Sequence, residues 1–409
     1  MRVAVVGGGV VGTSIALELA RRGFEVVVLE RDEVVGGGAS PGSAGYLCPS
    51  HAAPLASPAA LREGVEWLFK RGSPLRIKPR MAIVPWLARF VASCTSSRAH
   101  RGTDLLRSLA VESLALHAEF ARANVDTRFE RRGILNLYET GHGLERGLVE
   151  AEHAREAGLA VDMLDADAAR RAEPAIRTEV AGAVFYADEA HCDPARYSQA
   201  LADAARMRGA ELMTGTEVVG LRSSGSRVTH AETTRGAVGA DAFVLAAGVW
   251  TADVARAIGL RLRLEGGKGY HLDFARTSGQ PAAPVFLQEA RVTATPFADR
   301  FRLTGMLELC GRDMSIDHRA VETIERAGRR AFGVDAVGER VGVWCGLRPC
   351  LPDGLPAIGR APGAPNVVVA TGHSMLGLTL APVTGVLVGE ILSGASPRPE
   401  LELMRPDRR

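Results

Sequence analysis

Two short hydrophobic stretches with an amphipathic segment between them open the chain. Residues 3–6 are a run of valine and alanine, and residues 26–29 form a second apolar run. Between the two runs, apolar residues recur at helical spacing as far as Gly23. Short continuous apolar runs of this kind are typical of buried strands in a parallel sheet. The pattern therefore predicts a βαβ unit over residues 3–30.

The turn after the first run carries glycines in the spacing Gly7-x-Gly9-x-x-Gly12. At this spacing the first glycine permits a tight turn and the second lets a pyrophosphate approach the backbone. The third lets helix and strand pack closely where the helix N-terminus attracts phosphate. Glu30 closes the second strand, where a carboxylate can bind a ribose. A glycine-rich turn that binds nothing is the alternative, but the whole pattern favours a dinucleotide site.

Further along the chain, hydrophobic periodicity and turn residues predict more helices and strands. From residue 260 to 341 the pattern is rich in strands, which indicates an antiparallel sheet. Residues 367–392 contain His373, Pro382 and Glu390, so we interpret them as a strand, a glycine-rich turn and a helix. The predicted helices are 104–123, 144–157, 194–208 and 320–332, and the predicted strands are 133–138, 183–186, 211–212, 216–221, 242–248, 269–274, 292–296 and 301–309.

These elements predict an α/β fold with a Rossmann-type domain and an inserted antiparallel-sheet domain that binds substrate. A chain of 409 residues is long enough for two to three domains. We place the dinucleotide-binding domain at 1–60, 187–258 and 341–409. The substrate-binding or cap domain then covers 61–186 and 259–340.

Composition narrows the class of protein. The net charge is only +2, so the whole chain lacks the charge of a nucleic-acid binder. The six cysteines form no CxxC pair, so we predict no zinc site. A disulfide framework is not expected in a chain of this size. The sequence has no uninterrupted stretch of about eighteen apolar residues, so we predict no membrane-spanning helix. The first strand begins at residue 3, which leaves no room for a signal peptide. We expect a cytoplasmic protein without a metal.

Residues 61–107 differ in composition from the rest of the chain, because they contain ten basic residues and only three acidic ones. Trp67, Trp86 and Phe90 are interleaved with the basic residues. Such a segment could lie on the inner face of an anionic plasma membrane as a peripheral contact. A helical insertion with a solvated basic face is the blander interpretation. The ten basic residues are Arg62, Lys70, Arg71, Arg76, Lys78, Arg80, Arg89, Arg98, Arg101 and Arg107.

Four ordered motifs together resemble the D-amino-acid oxidase superfamily of flavoproteins. They are the glycine motif with Glu30, the strand end 246–250, the segment 346–359 and the loop 372–379. Within that superfamily the chain is most similar to bacterial D-amino-acid dehydrogenases of the small-subunit type, as residues 49–54, 66–79 and 268–270 also indicate. The subgroup usually has Asn-Ala-Gly where this chain has Gly42-Ser43-Ala44-Gly45, and a second glycine where this chain has Ser374. These departures leave the substrate and the electron acceptor open.

The resemblance implies non-covalent FAD on a glutathione-reductase-like Rossmann domain. It places residues 39–40 near the pyrophosphate, 44–46 under the flavin, Val218 at the adenine and the loop 372–379 along the isoalloxazine edge. A helix after Pro382 would direct N–H groups at a reduced, anionic flavin. NAD is the alternative, but no second glycine motif is present. The predicted cofactor-binding residues are Gly7, Gly9, Val10, Val11, Gly12, Glu30, Arg31, Ala39, Ser40, Ala44, Gly45, Val218, Ala246, Ala247, Gly248, Trp250, Gly372, His373, Ser374, Met375, Leu376, Gly377, Leu378 and Thr379.

Oxidation of an amino acid by a flavin requires a cation that clamps the substrate carboxylate. Arg348 is the first candidate, because a guanidinium fits a carboxylate bidentately and the family places an arginine there. A structural arginine, for example one paired with Asp353, is the alternative. Tyr270 is a second candidate donor or lid residue, although it could be a core tyrosine. His51 and Tyr46 are predicted to line the pocket or simply to pack.

The resulting hypothesis is an FAD-dependent enzyme that oxidises a D-amino acid, for example a cyclic one such as D-proline or hydroxy-D-proline. Hydride transfer from Cα to flavin N5 would give an imine that hydrolyses to a 2-oxo acid. Electrons would pass to a quinone or the respiratory chain, or to oxygen. Two rivals stay open: a glycine or sarcosine-type oxidase that uses oxygen, and a flavin-binding subunit without catalysis. No nucleic-acid partner is expected, and the oligomeric state is undetermined.

Overall fold

A computed structural model describes residues 1–68, 73–396 and 398–408. Phe69, Lys70 and Arg71 of the basic segment lie outside the described residues. The strands are β1 (Arg2–Val6), β2 (Glu25–Leu29), β3 (Tyr46–Leu47), β4 (Leu75–Ile77), β5 (Ile134–Tyr138), β6 (Val161–Asp165), β7 (Gly182–Tyr186), β8 (Ala190–His191), β9 (Glu211–Met213), β10 (Val218–Ser224), β11 (Arg227–Thr233), β12 (Gly236–Gly239), β13 (Ala242–Leu245), β14 (Glu265–Ala275), β15 (Val285–Leu287), β16 (Val292–Pro296), β17 (Arg300–Leu309), β18 (Arg340–Cys350), β19 (Ala357–Ala361) and β20 (Ala364–Thr371).

Helices form most of the long connections between strands, and α11 and α12 follow the last strand. The α-helices are α1 (Val10–Arg21), α2 (Pro58–Leu68), α3 (Val84–Ser93), α4 (Ser96–Arg122), α5 (Gly141–Glu156), α6 (Ala166–Ala172), α7 (Pro194–Arg206), α8 (Thr251–Arg256), α9 (His318–Phe332), α10 (Val334–Val337), α11 (Gly377–Ser393) and α12 (Glu400–Leu403).

The first layer is a six-stranded sheet in the order β19-β20-β13-β1-β2-β9. Its strands are parallel except for β19, which pairs antiparallel with β20 at the edge. Helices α1, α7 and α11 cover one face, and the antiparallel hairpins β10-β11-β12 lie on the other side of the same core. The βαβ unit predicted over residues 3–30 is confirmed as β1-α1-β2, and both strands are buried because both faces of a parallel sheet are covered.

The second layer is a nine-stranded sheet in the order β18-β14-β17-β16-β15-β5-β7-β6, with β4 paired to β17. Most neighbours are antiparallel, as predicted, but β15 pairs with β5 and β17 pairs with β4 in parallel. Helix α9 packs its apolar face against the back of this sheet around Phe274 and Phe301. The other face of the sheet lines the cavity described below.

Strand β18 corrects one predicted boundary. It pairs with β14 from Arg340 to Cys350, so the boundary placed at residue 341 falls inside the second sheet. The sequence pattern did not reveal this strand, because its cavity-facing positions include Gly346 and Arg348 rather than a hydrophobic row. The chain returns to the first layer only after Cys350.

Helix α4 differs from the prediction in both its start and its place. It begins at Ser96, where the hydroxyl of Thr95 accepts a hydrogen bond from the Arg98 N–H, eight residues before the predicted start. Its first two turns are mostly polar, which hid them from a hydrophobic pattern. Although its residues fall within the predicted cap segment, Leu106 and Leu109 pack in the core of the first layer.

Candidate flavin and substrate site

The glycine motif forms a close joint between β1 and α1. Gly7 has a φ of +103°, and a Cβ at Gly12 would lie 1.9 Å from the Gly7 carbonyl oxygen. Gly9 caps α1 without a side-chain hydrogen bond, and the Ser40 hydroxyl accepts from the Val10 N–H at 3.0 Å. Helix N–H groups therefore meet small residues and a hydroxyl at this end, which is the arrangement that a pyrophosphate requires. The residues fit the phosphates of a dinucleotide.

Glu30 lies at the end of β2, beside the glycine motif. Its two carboxylate oxygens accept hydrogen bonds from the N–H groups of Gly8 at 2.6 Å and Asp32 at 2.9 Å, and burial raises the pKa of this carboxyl. The Arg31 guanidinium lies 3.7 Å from the centre of the Trp250 ring, which joins the strand end after β13 to the end of β2. These contacts outline the position where the resemblance places the adenosine.

One cavity of about 860 Å³ runs from this joint to the face of the second sheet. Ligand pockets in proteins usually measure about 300–1,000 Å³, so the cavity has room for a large cofactor and a small substrate. The structure brings together most of the residues predicted to bind cofactor, which come from six separate stretches of chain. Those that line the cavity are Gly7, Gly9, Val10, Val11, Glu30, Arg31, Ala39, Ser40, Ala44, Val218, Ala246, Ala247, Gly248, Trp250, His373, Ser374, Met375, Leu376, Gly377, Leu378 and Thr379.

Gly12, Gly45 and Gly372 do not line the cavity; they shape its walls. A Cβ at Gly45, where φ is +82°, would lie 2.4 Å from the Cys192 carbonyl oxygen. At Gly372, where φ is +81°, a Cβ would lie 2.5 Å from the Leu351 side chain. These positions therefore need glycine for close packing of the turns rather than for contact with a ligand.

The N-terminus of α11 opens into the cavity. The helix begins at Gly377 and Leu376 caps it without a side-chain hydrogen bond, so N–H groups of its first turn are available to a ligand. The preceding turn holds Ser374 in a left-handed conformation with a φ of +50°, at the position where the subgroup usually has glycine. This positive end of a helix suits the negative charge of a reduced flavin.

Pro382 lies inside α11, so the prediction that the helix follows it was wrong. Proline has no N–H to donate to the carbonyl of Leu378, four residues earlier. The Nε2 of His117 on α4 lies 3.1 Å from that carbonyl oxygen and replaces the missing donor. Burial lowers the pKa of His117 to about 4, so the imidazole is neutral. A neighbouring helix thus compensates for the proline.

Arg348 projects from β18 across the floor of the cavity. Its guanidinium occupies the space above Gly269, where a Cβ would lie 2.1 Å from Nη1. Nη1 donates to the Met306 carbonyl oxygen at 2.9 Å, and in the described part of the chain no carboxylate forms an ion pair with this guanidinium. Burial lowers its pKa, but a guanidinium stays charged. Asp353 binds Arg408 instead, at 2.6 Å, which removes the proposed structural partner.

Tyr270 does not lie where a contact with substrate requires it. Its side chain is fully buried in the core behind the second sheet, and its hydroxyl donates to Glu308 at 2.9 Å. Successive side chains of β14 point to opposite faces, so Tyr270 points away from the face that Gly269 shares with the cavity. The structure places it as a core tyrosine, which was the alternative interpretation.

Tyr46 and His51 line the cavity, but their polar atoms are occupied. The Tyr46 hydroxyl donates to the Val285 carbonyl oxygen at 2.8 Å. The His51 Nδ1 lies 2.7 Å from the Ser50 hydroxyl, and its Nε2 lies 3.2 Å from the Asn136 amide nitrogen. Burial lowers the pKa of His51 to about 4. Both residues therefore form cavity wall with no free polar atom directed at a ligand.

His373 lies in the turn before α11, as predicted, and its Nε2 lies 3.0 Å from the Thr384 hydroxyl. Burial lowers its pKa to about 4. The imidazole is therefore neutral and fixes the turn to the body of the helix through a side-chain hydroxyl, rather than through backbone groups.

Several residues of the cavity were missed by the sequence analysis. Gly269 and Gly346 face each other on β14 and β18 and leave the floor without side chains, while the Trp344 ring lies over Gly346. Pairing across strands is not readable from the sequence, although the clustered glycines of residues 266–269 were a signal. All four tryptophans of the chain, Trp67, Trp86, Trp250 and Trp344, line this cavity.

The basic, aromatic segment forms one wall of the cavity. Trp86 is buried and its Nε1–H donates to the Cys350 carbonyl oxygen at 3.0 Å, and Leu87 and Phe90 of the same helix line the cavity. The side chains of Trp67, Trp86 and Phe90 thus line the cavity, and Arg89 faces solvent. Among the described residues no helix is long and apolar enough to cross a membrane.

Glu189 is buried beside this cavity wall and yields a prediction about pH. Its Oε1 accepts from the Ser50 N–H at 2.7 Å, Oε2 has no partner among the described residues, and burial raises its pKa to about 8. The Glu189 carboxyl binds its proton more tightly in the folded than in the unfolded protein. The stability that this protonation contributes is therefore lost as the pH rises from about 4.5 to about 8. Glu189→Gln should therefore stabilise the protein at pH 8.5, by at least about 1 kcal/mol.

The measurement is the free energy of unfolding of both proteins in urea at pH 5 and pH 8.5. The gain should shrink towards pH 5, where the glutamic acid is itself neutral. The buried histidines titrate equally in both proteins and cancel in the comparison. An equal difference at the two pH values would contradict a protonated Glu189.

Three features line the same cavity: the six-stranded Rossmann sheet, the glycine turn 7–12 between β1 and α1 (the phosphate joint), and the nine-stranded sheet. Together they define an FAD-binding oxidoreductase. The sequence profile of the FAD dependent oxidoreductase (DAO) family matches residues 2–391, and the chain belongs to that family. A D-amino acid dehydrogenase of Cereibacter sphaeroides is 32% identical, with 100% of this chain and 97% of the relative covered. One of Methylobacterium nodulans is 34% identical, with 97% and 96% covered.

Solved structures agree with this fold. Glycine oxidase from Geobacillus kaustophilus superimposes with a TM-score of 0.78 at 26% identity, with 100% of this chain and 99% of the other covered. L-proline dehydrogenase from P. horikoshii superimposes with a TM-score of 0.76 at 21% identity, with 99% and 96% covered. The predictions of an FAD-dependent enzyme and of its fold class are confirmed.

Proposed function

We propose that this enzyme oxidises a D-amino acid with FAD, giving an imine that hydrolyses to a 2-oxo acid. The observation that carries the proposal is Arg348, a cation without an ion-pair partner among the described residues, on the floor of the cavity that contains the flavin-binding residues. Two relatives that align with this chain over nearly their whole length are named D-amino acid dehydrogenase. Their names support an amino acid of D configuration as the substrate.

Arg348 would bind the substrate carboxylate through the guanidinium N–H groups that Met306 leaves free. Bound FAD supplies an acceptor for the hydride that leaves Cα. Held at one end by this ion pair, the substrate has few orientations, and orientation is the main contribution that the protein makes to such a reaction. The N-terminus of α11 would help to hold the flavin, and its free N–H groups would stabilise negative charge on it.

The substrate side chain would meet an apolar wall. Leu75, Ile77, Leu307 and Leu309 line the cavity beside β17, and Trp86 lies next to them. Burial of an apolar side chain there is favourable by about 25 cal/mol per Å² of apolar surface. This apolar wall favours apolar D-amino acids as substrates, including a cyclic one such as D-proline or hydroxy-D-proline.

For the electron acceptor we propose a lipid-soluble quinone that approaches from an anionic membrane. Val65 and Val91 line the cavity and are each about half exposed, with exposures of 51% and 53%, and Met81 nearby is 87% exposed. Exposed Arg62 lies on the same helix as Val65, and exposed Arg89 lies on the same helix as Val91. An apolar surface with basic neighbours suits the headgroup region of an anionic bilayer. Reoxidation by oxygen, as in an oxidase, is the alternative.

Anaerobic reduction of the bound flavin by a panel of D-, L- and N-methyl amino acids tests the function. We expect bleaching by apolar D-amino acids and slow or no bleaching by their L forms. Preferential bleaching by glycine or sarcosine would favour the amine oxidase, and no bleaching by any amine would favour a non-catalytic flavin subunit. Reoxidation of the bleached enzyme by a quinone in anionic vesicles, compared with air, tests the acceptor: faster reoxidation by air would overturn the quinone proposal.

A further inference from the structure

The carbonyl oxygen that holds Arg348 belongs to a residue in an unusual backbone conformation. Met306 has a φ of +67°, which is in the left-handed region that side chains other than glycine rarely adopt. Its side chain is buried in the core behind the sheet, whereas its carbonyl oxygen accepts from Arg348 on the cavity side. Conformations of this kind are unfavourable and persist only where the surrounding structure enforces them.

A β-bulge produces this conformation. Lys268 pairs with Glu308 and Tyr270 pairs with Gly305, so between these pairs β14 advances two residues while β17 advances three. Residues 306 and 307 of β17 therefore lie opposite the single residue Gly269 of β14. The Arg348 guanidinium lies directly above Gly269. Bulges redirect backbone and side-chain groups and are frequent beside active sites. Here the bulge turns one carbonyl group towards the cavity floor.

A buried cluster behind the sheet spans the bulge. One carboxylate oxygen of Glu308 accepts from the Tyr270 hydroxyl at 2.9 Å and lies 3.2 Å from Lys268 Nζ, which also donates to the Ser315 carbonyl oxygen at 2.8 Å. Lys268 and Tyr270 flank Gly269, and Glu308 follows Met306 by two residues. The cluster therefore ties β14 and β17 together immediately around the bulge, and a shift to regular pairing would break it.

We propose that Met306 is a positioning residue for Arg348 and that the cluster of Lys268, Tyr270 and Glu308 keeps its carbonyl oxygen in place. This inference rests on the proposed function, because it assigns Arg348 to the substrate carboxylate. By holding Nη1, the carbonyl orients the guanidinium and leaves its other N–H groups for a bidentate contact. Tyr270 thus acts on the site from behind the sheet, without contact to the substrate.

Two substitutions of Met306 separate positioning from packing. Met306→Gly removes the buried side chain but adopts a positive φ readily, whereas Met306→Val keeps apolar volume but is β-branched and resists that conformation. In the holoenzyme, Met306→Val should raise KM and the Kd for propionate about tenfold, the loss expected for one orienting hydrogen bond, with kcat nearly unchanged. Met306→Gly keeps the carbonyl oxygen and the positive φ, so it should raise both constants clearly less than Met306→Val does, while lowering Tm.

Propionate binding, read from the flavin absorbance, needs no turnover, so it judges this inference separately from whether an amino acid reduces the flavin. If Met306→Gly weakens propionate binding as much as Met306→Val, or if neither does, the positioning role is overturned. Tyr270→Phe removes one hydroxyl and keeps the ring, and it should raise the propionate Kd with unchanged FAD content. An unchanged Kd in this variant would overturn the role of the cluster.

Discussion

Replacing Arg348 with leucine should lower kcat/KM for D-amino acids by about 100- to 5,000-fold, mainly through KM. Removal of one partner of a buried, hydrogen-bonded charge pair costs about 3–5 kcal/mol, because the substrate carboxylate would enter the cavity unpaired. The FAD content should stay unchanged, since Arg348 projects from the second sheet and not from the phosphate joint. Steady-state kinetics and anaerobic flavin reduction measure the effect.

Arg348→Lys provides the matched control for charge. Lysine keeps the positive charge but has no planar fork, so it should recover only part of the activity. If Arg348→Leu leaves KM within twofold of the wild-type value, the carboxylate is bound elsewhere and the assignment of Arg348 fails.

Gly12→Ala should weaken FAD binding about 10- to 100-fold. The added Cβ would lie 1.9 Å from the Gly7 carbonyl oxygen, so helix α1 must move away from β1 just where the pyrophosphate binds. Overpacking of this kind costs about 1–3 kcal/mol, and each 1.4 kcal/mol is a factor of ten in Kd. The measurement is titration of the apoprotein with FAD.

Gly141→Ala is the control for this prediction. Gly141 is the first residue of α5 and does not line the cavity, and a Cβ there would have no atom within 4 Å. It should bind FAD as the wild type does. Equal FAD affinity of the two variants would show that the joint between β1 and α1 does not set cofactor binding.

The parts of the site that sequence reasoning predicted are those determined by local spacing. Gly7, Gly9 and Gly12 act within one turn, and Glu30 follows at a distance that one helix and one strand determine. Such motifs need no knowledge of the remaining fold. The turn before α11 was found for the same reason, because Ser374 and its neighbours form a contiguous stretch.

The parts that sequence reasoning missed depend on pairing between distant strands. Whether Tyr270 faced the cavity or the core followed from the register of β14 against β18 and β17, and a shift of one residue would have reversed it. The role of Met306 arises from an extra residue in one strand, which no periodicity reveals. Helix α4 shows the same limit, since its apolar face did not indicate which sheet it would cover.

The placement of every tryptophan around one cavity gives the protein a built-in optical signal. Oxidised flavin absorbs light at the wavelengths where indole rings emit, so energy would pass from all four rings to the coenzyme. Loss of the coenzyme should then appear as a strong increase in intrinsic fluorescence, with no background from indole rings elsewhere in the chain. Occupancy could be followed in a dilute sample without any added dye.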